Sequence, residues 1–535
     1  MDGATPELVL FKATSGCQSA LLRWPGGKSR LLHSAIAPET EAVDIPLPEI
    51  WGDVLLCLGT GLGYHLEGLK NITRPLTIVL CDCWPDLVLA AAERLAGSIH
   101  QVVPTVLESV SIVASAKIQI LRHPASYRVS AERFEVFAET IFRESLQGSI
   151  AGADKQNVLP RTLLLHGHHF LQEEIRHGLC EIDCPHHLLE YEGDHRFTSW
   201  ESQVLKAIQE FRPELILSVN MKGIDSDGIL MDNARRLGIP VHAWFVDDPR
   251  PIALPHSSKV YPYIQAWCWE RSYLPWLKKK GFNSPRWLPL AGDPAMFKPG
   301  KVDPIVDVTH PLVFTGSAMG KNFLDTIRRS FLWDDKLTTI VDLRSEELLR
   351  GHRLHETLLE GLPLPFEDER NLSWLTCLIL HTASHKRRVR TLSPLVTRGL
   401  VCAGDPQSWR DVLGNQVRVI PDLDYRRELG AHYRKCDINL NITSCQMPTA
   451  VNQRVFDVPL SGAFLLTDNQ ADLAELFAPS EIVSYASQAE LHERLEWFSS
   501  HATEKNRIVV AGRNRVLKEH TYAHRLRDLF RLRNV

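Results

Sequence analysis

The chain has 535 residues, and its 60 Lys and Arg nearly balance its 64 Asp and Glu, which leaves a formal net charge of −4. This length exceeds a single hydrophobic core and predicts about three domains. A hydrophobic content of 44% is ordinary for a globular protein. The near-neutral balance of charge excludes the strongly basic surface of a typical nucleic-acid-binding protein, so we expect no nucleic-acid partner.

The start of the chain, Met-Asp-Gly-Ala-Thr-Pro-Glu, has neither the basic nor the apolar segment of a targeting signal. No stretch approaches the ~20 apolar residues that a membrane-spanning helix needs. We therefore expect a cytoplasmic protein without a membrane span. The 11 cysteines are scattered, and no group of them has the spacing of a zinc finger. They predict reduced thiols and no metal site.

The N-terminal part predicts a Rossmann-like opening after a small β-hairpin region. An apolar strand over residues 53–58 leads into a glycine-rich loop, and the next strand, over residues 77–80, ends close to an acid. Alternate glycines let a backbone approach a ligand, and the acid can bind ribose hydroxyls. Two interpretations stay open: an S-adenosylmethionine site, or a glycine turn that packs helix on strand without a ligand. The residues concerned are Gly59, Gly61, Gly63 and Asp82.

Strands and helices alternate from residue 161 to residue 246, after a small polar linker, which predicts a parallel sheet covered on both faces. The last of these strands ends in Asp247-Asp248-Pro249. Two carboxylates therefore stand at the carboxyl edge of a sheet, which is a cleft position. They could act on an acceptor hydroxyl, bind a divalent ion or contact a donor sugar. The alternative is an Asp-Pro turn that caps a loop.

A third alternating region opens with a strand over residues 312–314 and a loop that contains Gly316 and Ser317. Such a loop can present backbone N–H groups to a phosphate, although its spacing is too short for a Walker P-loop. Charged residues with helical spacing over residues 344–370 predict an exposed elaboration. The basic run over residues 386–390 predicts the start of a helix with a solvated face, unless Arg387 or Arg390 points inward to neutralise a diphosphate.

Residues 439–468 predict a strand, a polar loop, a short helix and a second strand. Arg454 and Asp457 share one side of a helical turn that starts just past a strand's carboxyl end. An arginine there suits a diphosphate, and a carboxylate one turn on can accept a hydrogen bond from a ribose hydroxyl, with Asn452 nearby. The pattern indicates a nucleotide-diphosphate seat. A surface ion pair is the alternative.

These stretches resemble a known family. Asn-Gln-Arg-Val-Phe-Asp at 452–457, Gly-Ala-Phe-Leu-Leu-Thr-Asp at 462–468 and the segment 513–525 resemble the C-terminal half of CgeB-type glycosyltransferases. Phe-Val-Asp-Asp-Pro at 245–249 and residues 288–299 resemble the N-terminal half. These relatives are enzymes of the GT-B fold, and the resemblance extends over about residues 160 to 530.

That resemblance implies that Asp457 is the carboxylate that holds the donor ribose. The relatives carry a second glutamate one to two turns upstream, where this chain has Thr449 and Ala450. A second resemblance concerns the N-terminal part. The run Gly61-Leu62-Gly63-Tyr64-His65, preceded by residues 33–42, is similar to the N-terminal region of motility-associated flagellin glycosyltransferases. In those relatives the domain is methyltransferase-like in shape, without an assigned methylation.

We therefore expect an α/β fold with two facing Rossmann-like domains of GT-B type, preceded by a further Rossmann-like domain. The expected domains are residues 1–155, 156–305 and 306–535. The expected reaction moves a sugar from a nucleotide-diphosphate donor to a protein acceptor such as flagellin or to a surface glycan, with no cofactor or metal required. The alternatives are an S-adenosylmethionine-dependent methyltransferase and a non-catalytic scaffold. Neither the sugar nor the oligomeric state is predicted.

Overall fold

The structure is a computed structural model, and the chain forms two compact units in it. The first unit comprises residues 1–163, 191–214 and 229–239, and the second comprises 164–190, 215–228 and 240–535. The predicted boundaries at 155 and 305 lie outside the described residues, so the division into three domains stays a prediction. The described residues are 6–107, 116–146, 159–167, 171–190, 197–225, 228–300, 310–352 and 354–531.

The chain begins with a three-stranded antiparallel sheet, so the predicted hairpin is extended by one strand. A parallel sheet with the order β6-β5-β4-β7 follows. Its central strand β4 is buried along its whole length, because apolar side chains cover both faces of the sheet. The elements are β1 (Glu7–Lys12), β2 (Gln18–Arg23), β3 (Ser29–Leu31), α1 (Glu41–Asp44), β4 (Val54–Leu58), β5 (Thr77–Cys81), α2 (Pro85–Arg94), β6 (Gln101–Thr105), β7 (Ile118–Arg122), α3 (Pro124–Tyr127) and α4 (Ala131–Leu146).

The middle region forms a six-stranded sheet with the order β13-β12-β11-β10-β8-β9. Strands β10 and β11 consist of buried residues throughout, as expected for strands that are covered on both faces. Helices α6 and α7 belong to the first compact unit. The elements are β8 (Thr162–His166), α5 (Gln172–Glu181), β9 (His186–Glu190), α6 (Phe197–Phe211), β10 (Leu215–Val219), α7 (Ile229–Arg236), β11 (Val241–Phe245), α8 (Pro249–Ala253), β12 (Ile264–Cys268), α9 (Leu274–Lys280) and β13 (Asn283–Trp287).

The C-terminal region forms a third sheet with the order β16-β15-β14-β17-β18-β19, in which every pairing is parallel. This is the order of dinucleotide-binding sheets, and it reverses between β14 and β17. The strands are β14 (His310–Thr315), β15 (Leu400–Ala403), β16 (Arg418–Ile420), β17 (Cys436–Asn441), β18 (Leu465–Asp468) and β19 (Val483–Tyr485). The helices are α10 (Lys321–Arg328), α11 (Leu337–Leu349), α12 (Glu369–Leu392), α13 (Pro406–Leu413), α14 (Leu429–Arg434), α15 (Arg454–Leu460), α16 (Leu473–Leu476), α17 (Gln488–Ser500), α18 (Ala502–Glu519) and α19 (Tyr522–Arg531).

Local chemistry explains several helix starts in the second unit. The carboxylates of Asp248, Asp368 and Asp405 accept hydrogen bonds from backbone N–H groups in the first turns of α8, α12 and α13. Proline occupies the first turn of α8 and α13, where its missing N–H costs nothing. Helix α9 ends at Gly281, which adopts the left-handed conformation that glycine tolerates.

The prediction of an exposed elaboration over residues 344–370 is correct only in part: most of its described charged residues are exposed, but Arg344, Ser345, Leu358 and Phe366 are buried. Helices α10, α11 and α12 pack around an apolar core of their own. Arg344 is only 4% exposed, and it donates hydrogen bonds to the Glu347 carboxylate over 2.6 Å and to the Glu360 carbonyl oxygen over 2.8 Å. Two apolar residues of this range, Leu358 and Phe366, belong to the core. Its buried members include Leu324, Ile327, Leu337, Val341, Leu358, Phe366, Leu375, Leu378 and Ile379.

The expected α/β fold class is confirmed, with a Rossmann-like parallel sheet in each of the three regions. Within the second unit, the carboxyl ends of the middle and C-terminal sheets meet, as GT-B architecture requires. Glu270, which follows β12, accepts hydrogen bonds from the backbone N–H groups of Thr449 (3.0 Å) and Ala450 (2.8 Å), which follow β17. Helix α19 returns to pack on α5. In the described part of the chain, no helix combines the length and apolarity needed to cross a membrane.

Candidate functional site

Most of the predicted donor-binding residues lie near the strand reversal of the C-terminal sheet, between β14 and β17. Ligands of open parallel sheets bind at such a reversal, beyond the carboxyl ends of the strands. Gly316 and Ser317 follow β14, and the loop after β17 leads to Arg454, the first residue of α15. Helix α12 brings Arg388 to the same place, where its Nη1 donates to the Ser317 carbonyl oxygen over 2.6 Å. We call Gly316, Ser317, Arg388, Asn452 and Arg454 the switch-point site.

Arg454 is held by neutral groups. Its Nη1 donates to Asn441 Oδ1 over 3.3 Å, and Asn452 Nδ2 donates to the same oxygen over 2.8 Å. Gly316 has a φ of +149°, and a Cβ added there would lie 2.6 Å from Arg454 Nη2. Glycine therefore leaves room for the guanidinium group. Among the described residues, no carboxylate forms an ion pair with Arg454, so the alternative of a surface ion pair with Asp457 is not observed.

Arg388 is the second arginine of the site and is 4% exposed. Its Nε has no hydrogen-bond partner in the described structure. Burial and the neighbouring Arg454 charge lower the pKa of Arg388 to about 9. Both guanidinium groups lie near the Phe314 ring, at 5.5 Å for Arg388 and 5.9 Å for Arg454. Two adjacent cations without a carboxylate favour an anion with two negative charges.

Arg388 is a site residue that the sequence pattern did not reveal. Arg387 and Arg390 were the candidates for inward-pointing members of the basic run, but Arg390 is exposed and pairs with Glu346 over 2.7 Å. The run does not begin a helix, because α12 starts well upstream of it. The upstream residues of α12 therefore determine which residues of the basic run face the protein interior. Ser384, one turn earlier, is buried, and extending that buried face along the helix identifies Arg388.

Asp457 lies in a different environment from Arg454. Its carboxyl group is fully buried and accepts hydrogen bonds from the Tyr425 hydroxyl (2.9 Å) and from Gln453 Nε2 (3.2 Å). Burial raises the pKa of Asp457 well above its ordinary value. Because the carboxyl group is fully buried and both of its oxygens already accept hydrogen bonds, a ribose could reach it only after a side chain such as Tyr425 or Gln453 moves. The predicted contact between Asp457 and a donor ribose stays a prediction.

The two adjacent carboxylates of the middle sheet have different surroundings. Asp248 is 3% exposed, caps α8 and pairs with Arg250 over 2.5 Å, so its charge is already neutralised. Asp247 is an exposed residue, but the surrounding protein shields its carboxylate from part of the water, and the carboxylate accepts a hydrogen bond from Asn220 Nδ2 over 2.8 Å. Dehydration by the surrounding protein, with the Asp248 charge adding to it, raises the pKa of Asp247 to about 6. Of the pair, Asp247 is the carboxylate with the surroundings of a general base.

In the N-terminal region, the glycine loop and the Asp82 side chain form hydrogen bonds with each other. The Asp82 carboxylate accepts hydrogen bonds from the backbone N–H groups of Thr60 (2.8 Å), Gly61 (3.2 Å) and Cys83 (2.7 Å). Asp82 is fully buried. The carboxylate and the loop N–H groups are thus occupied by one another, which favours the interpretation of a packing turn without a nucleotide. Gly59 and Gly63, at φ +68° and +78°, approach the helices that follow β7 and β5.

A buried acid on α5 lies near Asp457 within the second unit. Glu174 is 1% exposed, and its Oε2 has no hydrogen-bond partner in the described structure. Burial, supplemented by the negative charge of Asp293, raises the pKa of Glu174 from 4.5 to about 7. The folded protein therefore holds a proton that the unfolded chain releases. The contribution of Glu174 to the free energy of unfolding therefore falls as the pH rises from about 4.5 to about 7.

Glu174→Gln should remove this pH dependence, because glutamine stays neutral. We expect the variant to match wild type near pH 4.5 and to be more stable by about 2–3 kcal/mol at pH 8. Urea unfolding at a series of pH values measures this difference. Glu181→Gln, an exposed change on the same helix, is the control and should follow wild type at every pH. Parallel pH profiles of wild type and Glu174→Gln would contradict the prediction.

Comparisons with known proteins concern the region that contains this site. Residues 379–531 match a family model described as "Glycosyl transferase-like", which covers Arg388, Asn452, Arg454 and Asp457. The comparison with curated protein sequences finds no match.

Solved structures with a similar fold include sucrose-phosphate synthase from Thermosynechococcus elongatus, at 10% identity and a TM-score of 0.38, over 70% of this chain and 98% of that one. HepE of Anabaena in complex with UDP-glucose is similar at 10% identity and a TM-score of 0.39, over 70% and 99%. The T4 phage enzyme BGT in complex with its UDP-glucose substrate is similar at 10% identity and a TM-score of 0.37, over 70% and 98%. Identities and TM-scores this low indicate nothing about the substrates of the present chain.

Proposed function

We propose that the chain is a glycosyltransferase that moves a sugar from a nucleoside-diphosphate donor to an acceptor. One observation carries the proposal: two guanidinium groups, of Arg388 and Arg454, converge at the strand reversal of the C-terminal sheet without a carboxylate partner among the described residues. This site lies in the segment that matches the glycosyl transferase-like family model. A diphosphate supplies the negative charge that both groups lack.

The chemistry assigned to the site is the stabilisation of a leaving group. As the bond between the sugar and the diphosphate breaks, negative charge grows on the diphosphate, and fixed cations that face it lower the barrier. The backbone N–H group of Ser317 adds a neutral donor, whereas the Gly316 N–H already donates to the Ala403 carbonyl oxygen over 2.8 Å. Asn441 and Asn452 hold Arg454 in place through hydrogen bonds, so little orientation is lost during the reaction.

Asp247 is proposed as the general base that takes a proton from the acceptor. Its position at the carboxyl edge of β11, its exposure and its raised pKa support this role. Asn220 positions the carboxylate through its amide. Asp248, which is paired with Arg250, is proposed to hold the loop of Asp247 and not to act on substrate. Asp457 is kept as the proposed ribose contact, with Tyr425 giving way to the ribose hydroxyl.

The remaining features of the proposal concern the substrates. The acceptor is a hydroxyl or amide on a protein or a glycan, the transferred sugar is a hexose or a related sugar, and the reaction needs no metal. A cytoplasmic location stays a prediction. An S-adenosylmethionine-dependent methyltransferase is less well supported, because Asp82 and the glycine loop occupy each other. A non-catalytic scaffold would bind no donor.

Donor binding tests the proposal. Thermal shift and calorimetry with UDP-, GDP- and dTDP-sugars should identify one nucleotide class that stabilises the wild-type protein. Arg454→Gln should weaken that binding by about 10- to 100-fold, because a hydrogen bond between charged groups is lost. Arg390→Gln, which changes an exposed arginine on α12, is the control and should bind as wild type does. The absence of binding by every nucleotide sugar would overturn the proposal in favour of the scaffold.

A further inference from the structure

The segment that joins β17 to α15, residues 442–453, carries Asn452 and leads directly to Arg454. We call it the β17–α15 loop. It forms no strand and no α-helix of its own, so its backbone N–H and C=O groups need partners on other parts of the chain. The origin of these partners shows which elements determine the position of the switch-point site.

Side chains of the C-terminal region hold the first half of the loop. Asp468, the last residue of β18, accepts the Thr443 N–H over 3.0 Å and the Thr443 hydroxyl over 2.8 Å. Ser384 of α12 accepts the Cys445 N–H over 2.8 Å. This half is thus anchored on the same sheet and helix that carry the other residues of the switch-point site.

The second half of the loop is held from the middle region. Glu270, which follows β12, is fully buried, and its Oε2 accepts the Thr449 N–H over 3.0 Å and the Ala450 N–H over 2.8 Å. Its Oε1 accepts the Thr449 hydroxyl over 2.9 Å. The Tyr273 hydroxyl donates to the Gln446 carbonyl oxygen over 2.8 Å. One carboxylate of the middle region therefore accepts three hydrogen bonds from the loop.

The Glu270 carboxylate is itself fixed in place, because its Oε1 also accepts the Ser272 N–H over 2.9 Å. Ala450 is 2% exposed, and a buried donor that loses its acceptor costs about 1–3 kcal/mol. Without the carboxylate, the loop can recover these hydrogen bonds only by moving so that water reaches its N–H groups. Loss of Glu270 should therefore displace the second half of the loop.

The displaced half is directly connected to the cation of the switch-point site. Asn452 lies two residues after Ala450. Its Nδ2 donates to Asn441 Oδ1 over 2.8 Å, and Arg454 Nη1 donates to the same oxygen over 3.3 Å. Asn452 Oδ1 also accepts the Arg454 N–H over 3.2 Å. A shift of the loop thus moves the amide that orients the Arg454 guanidinium group.

We propose that Glu270 is a positioning residue of the switch-point site, which holds the β17–α15 loop from the middle region and so fixes Arg454 for the diphosphate of the donor. The proposal rests on the proposed function. Glu270 acts through the loop, since the described hydrogen bonds of its side chain go to Ser272, Thr449 and Ala450. Donor affinity is then coupled to contact between the two sheets: the contact strengthens donor binding, and bound donor strengthens the contact to the same extent.

Calorimetry on the full chain tests this coupling, with inorganic pyrophosphate and with UDP-, GDP- and dTDP-sugars as probes. Glu270→Gln keeps the size of the side chain but offers one acceptor oxygen in place of two. Affinity should fall by about 5- to 150-fold, the usual range of coupling between sites. In the double variant Glu270→Gln/Arg454→Gln, the Glu270 change should add little, because it acts through Arg454. A role in stability alone would leave the affinity of the folded protein unchanged.

The matched control is Glu475→Gln, which breaks a neighbouring exposed ion pair between the same two regions, with Arg271 over 2.5 Å. It should bind the probes as wild type does. If Glu270→Gln fails to fold, Tyr273→Phe removes one hydrogen bond to the same loop and should weaken binding by about 2- to 10-fold.

The outcomes separate this proposal from the proposed function. Equal affinity of wild type and Glu270→Gln, or of Tyr273→Phe in its place, would overturn the positioning role and leave the transfer reaction standing. Pyrophosphate affinity that depends on Glu270, without binding of any nucleotide sugar, would overturn only the proposed function. Wild-type protein that binds neither pyrophosphate nor a nucleotide sugar would overturn both.

Discussion

Replacing Asp247 by asparagine is expected to slow sugar transfer by about 10²- to 10⁴-fold, the usual contribution of a general base. Asparagine keeps the size of the side chain but cannot accept the acceptor's proton. Donor binding should be unchanged, because the proposed diphosphate contacts lie in the C-terminal sheet. Rates of transfer and calorimetric donor affinities, measured on the same preparations, separate these two effects.

The pH profile gives a second test of Asp247. Its pKa of about 6 means that the base is protonated and inactive in acid and becomes active as the pH rises through 6. The wild-type kcat/KM should therefore rise over that range, and Asp247→Asn should lack this limb. Asp232→Asn, an exposed change on α7, should retain the wild-type profile. Full activity in Asp247→Asn would assign the base to another residue.

Asp248→Asn provides a contrast within the same motif. Asp248 is buried against Arg250, so removing its charge leaves a largely buried guanidinium group with only a neutral acceptor. The expected effect is a loss of about 3–5 kcal/mol in stability, the range measured for broken buried ion pairs. Neighbouring carboxylates that follow one strand are thus expected to affect different quantities, the rate for Asp247 and the free energy of unfolding for Asp248.

Arg388→Met is expected to weaken donor binding by about 10- to 100-fold and to leave the protein as stable as wild type or more stable by roughly 1–4 kcal/mol, as when buried charges are replaced by apolar side chains. Arg388 is buried beside a second cation, its Nε is unpaired and its pKa is lowered. Each of these features costs folding energy that a bound diphosphate would return. Methionine fills a similar volume without the charge.

Two measurements check this opposition between stability and binding. Chemical unfolding without ligand should show equal or higher stability for Arg388→Met, and turnover with saturating acceptor should fall by about 10²- to 10³-fold, as when one electrostatic donor to a transition state is removed. The double variant Arg388→Met/Arg454→Gln should lose less than the sum of the single losses, because both groups contact one anion. A destabilised Arg388→Met that still binds donor as tightly as wild type does would contradict the prediction.

Local sequence pattern predicted the elements that build the donor site. Apolar runs identified the strands on either side of the reversal, β14 and β17, and glycine at position 316 marked a loop that can present backbone groups to a phosphate. Arg454 was predicted from its place at a helix start after a strand. These inferences needed only the periodicity of apolar residues and the conformational range of glycine, which depend on neighbours in sequence.

The directions of side chains depended on the tertiary structure. The inward direction of Arg388 follows from the packing of α12 against α10 and α11. The apolar core between these helices forms only when they pack together, so the local sequence did not show which face of α12 is buried. Asp457 meets Tyr425, which lies 32 residues earlier in the chain. For Asp82 the sequence left two interpretations open, a ribose contact or a packing turn without a ligand, and in the folded chain the glycine loop donates hydrogen bonds to its carboxylate.

The neighbouring rings of His33, His65 and His123, with the Glu41 carboxylate beside them, show the same limit most clearly. His33 and Glu41 precede β4, His65 follows the glycine loop and His123 follows β7, so no local spacing relates the four residues. Their proximity arises because β4 and β7 are neighbours in the sheet, although the strands β5 and β6 lie between them in sequence. Sequence by itself determined which segments are strands, helices and loops, since backbone preference and apolar period are local. Only the fold decided which polar groups meet, because strand order brings distant residues together.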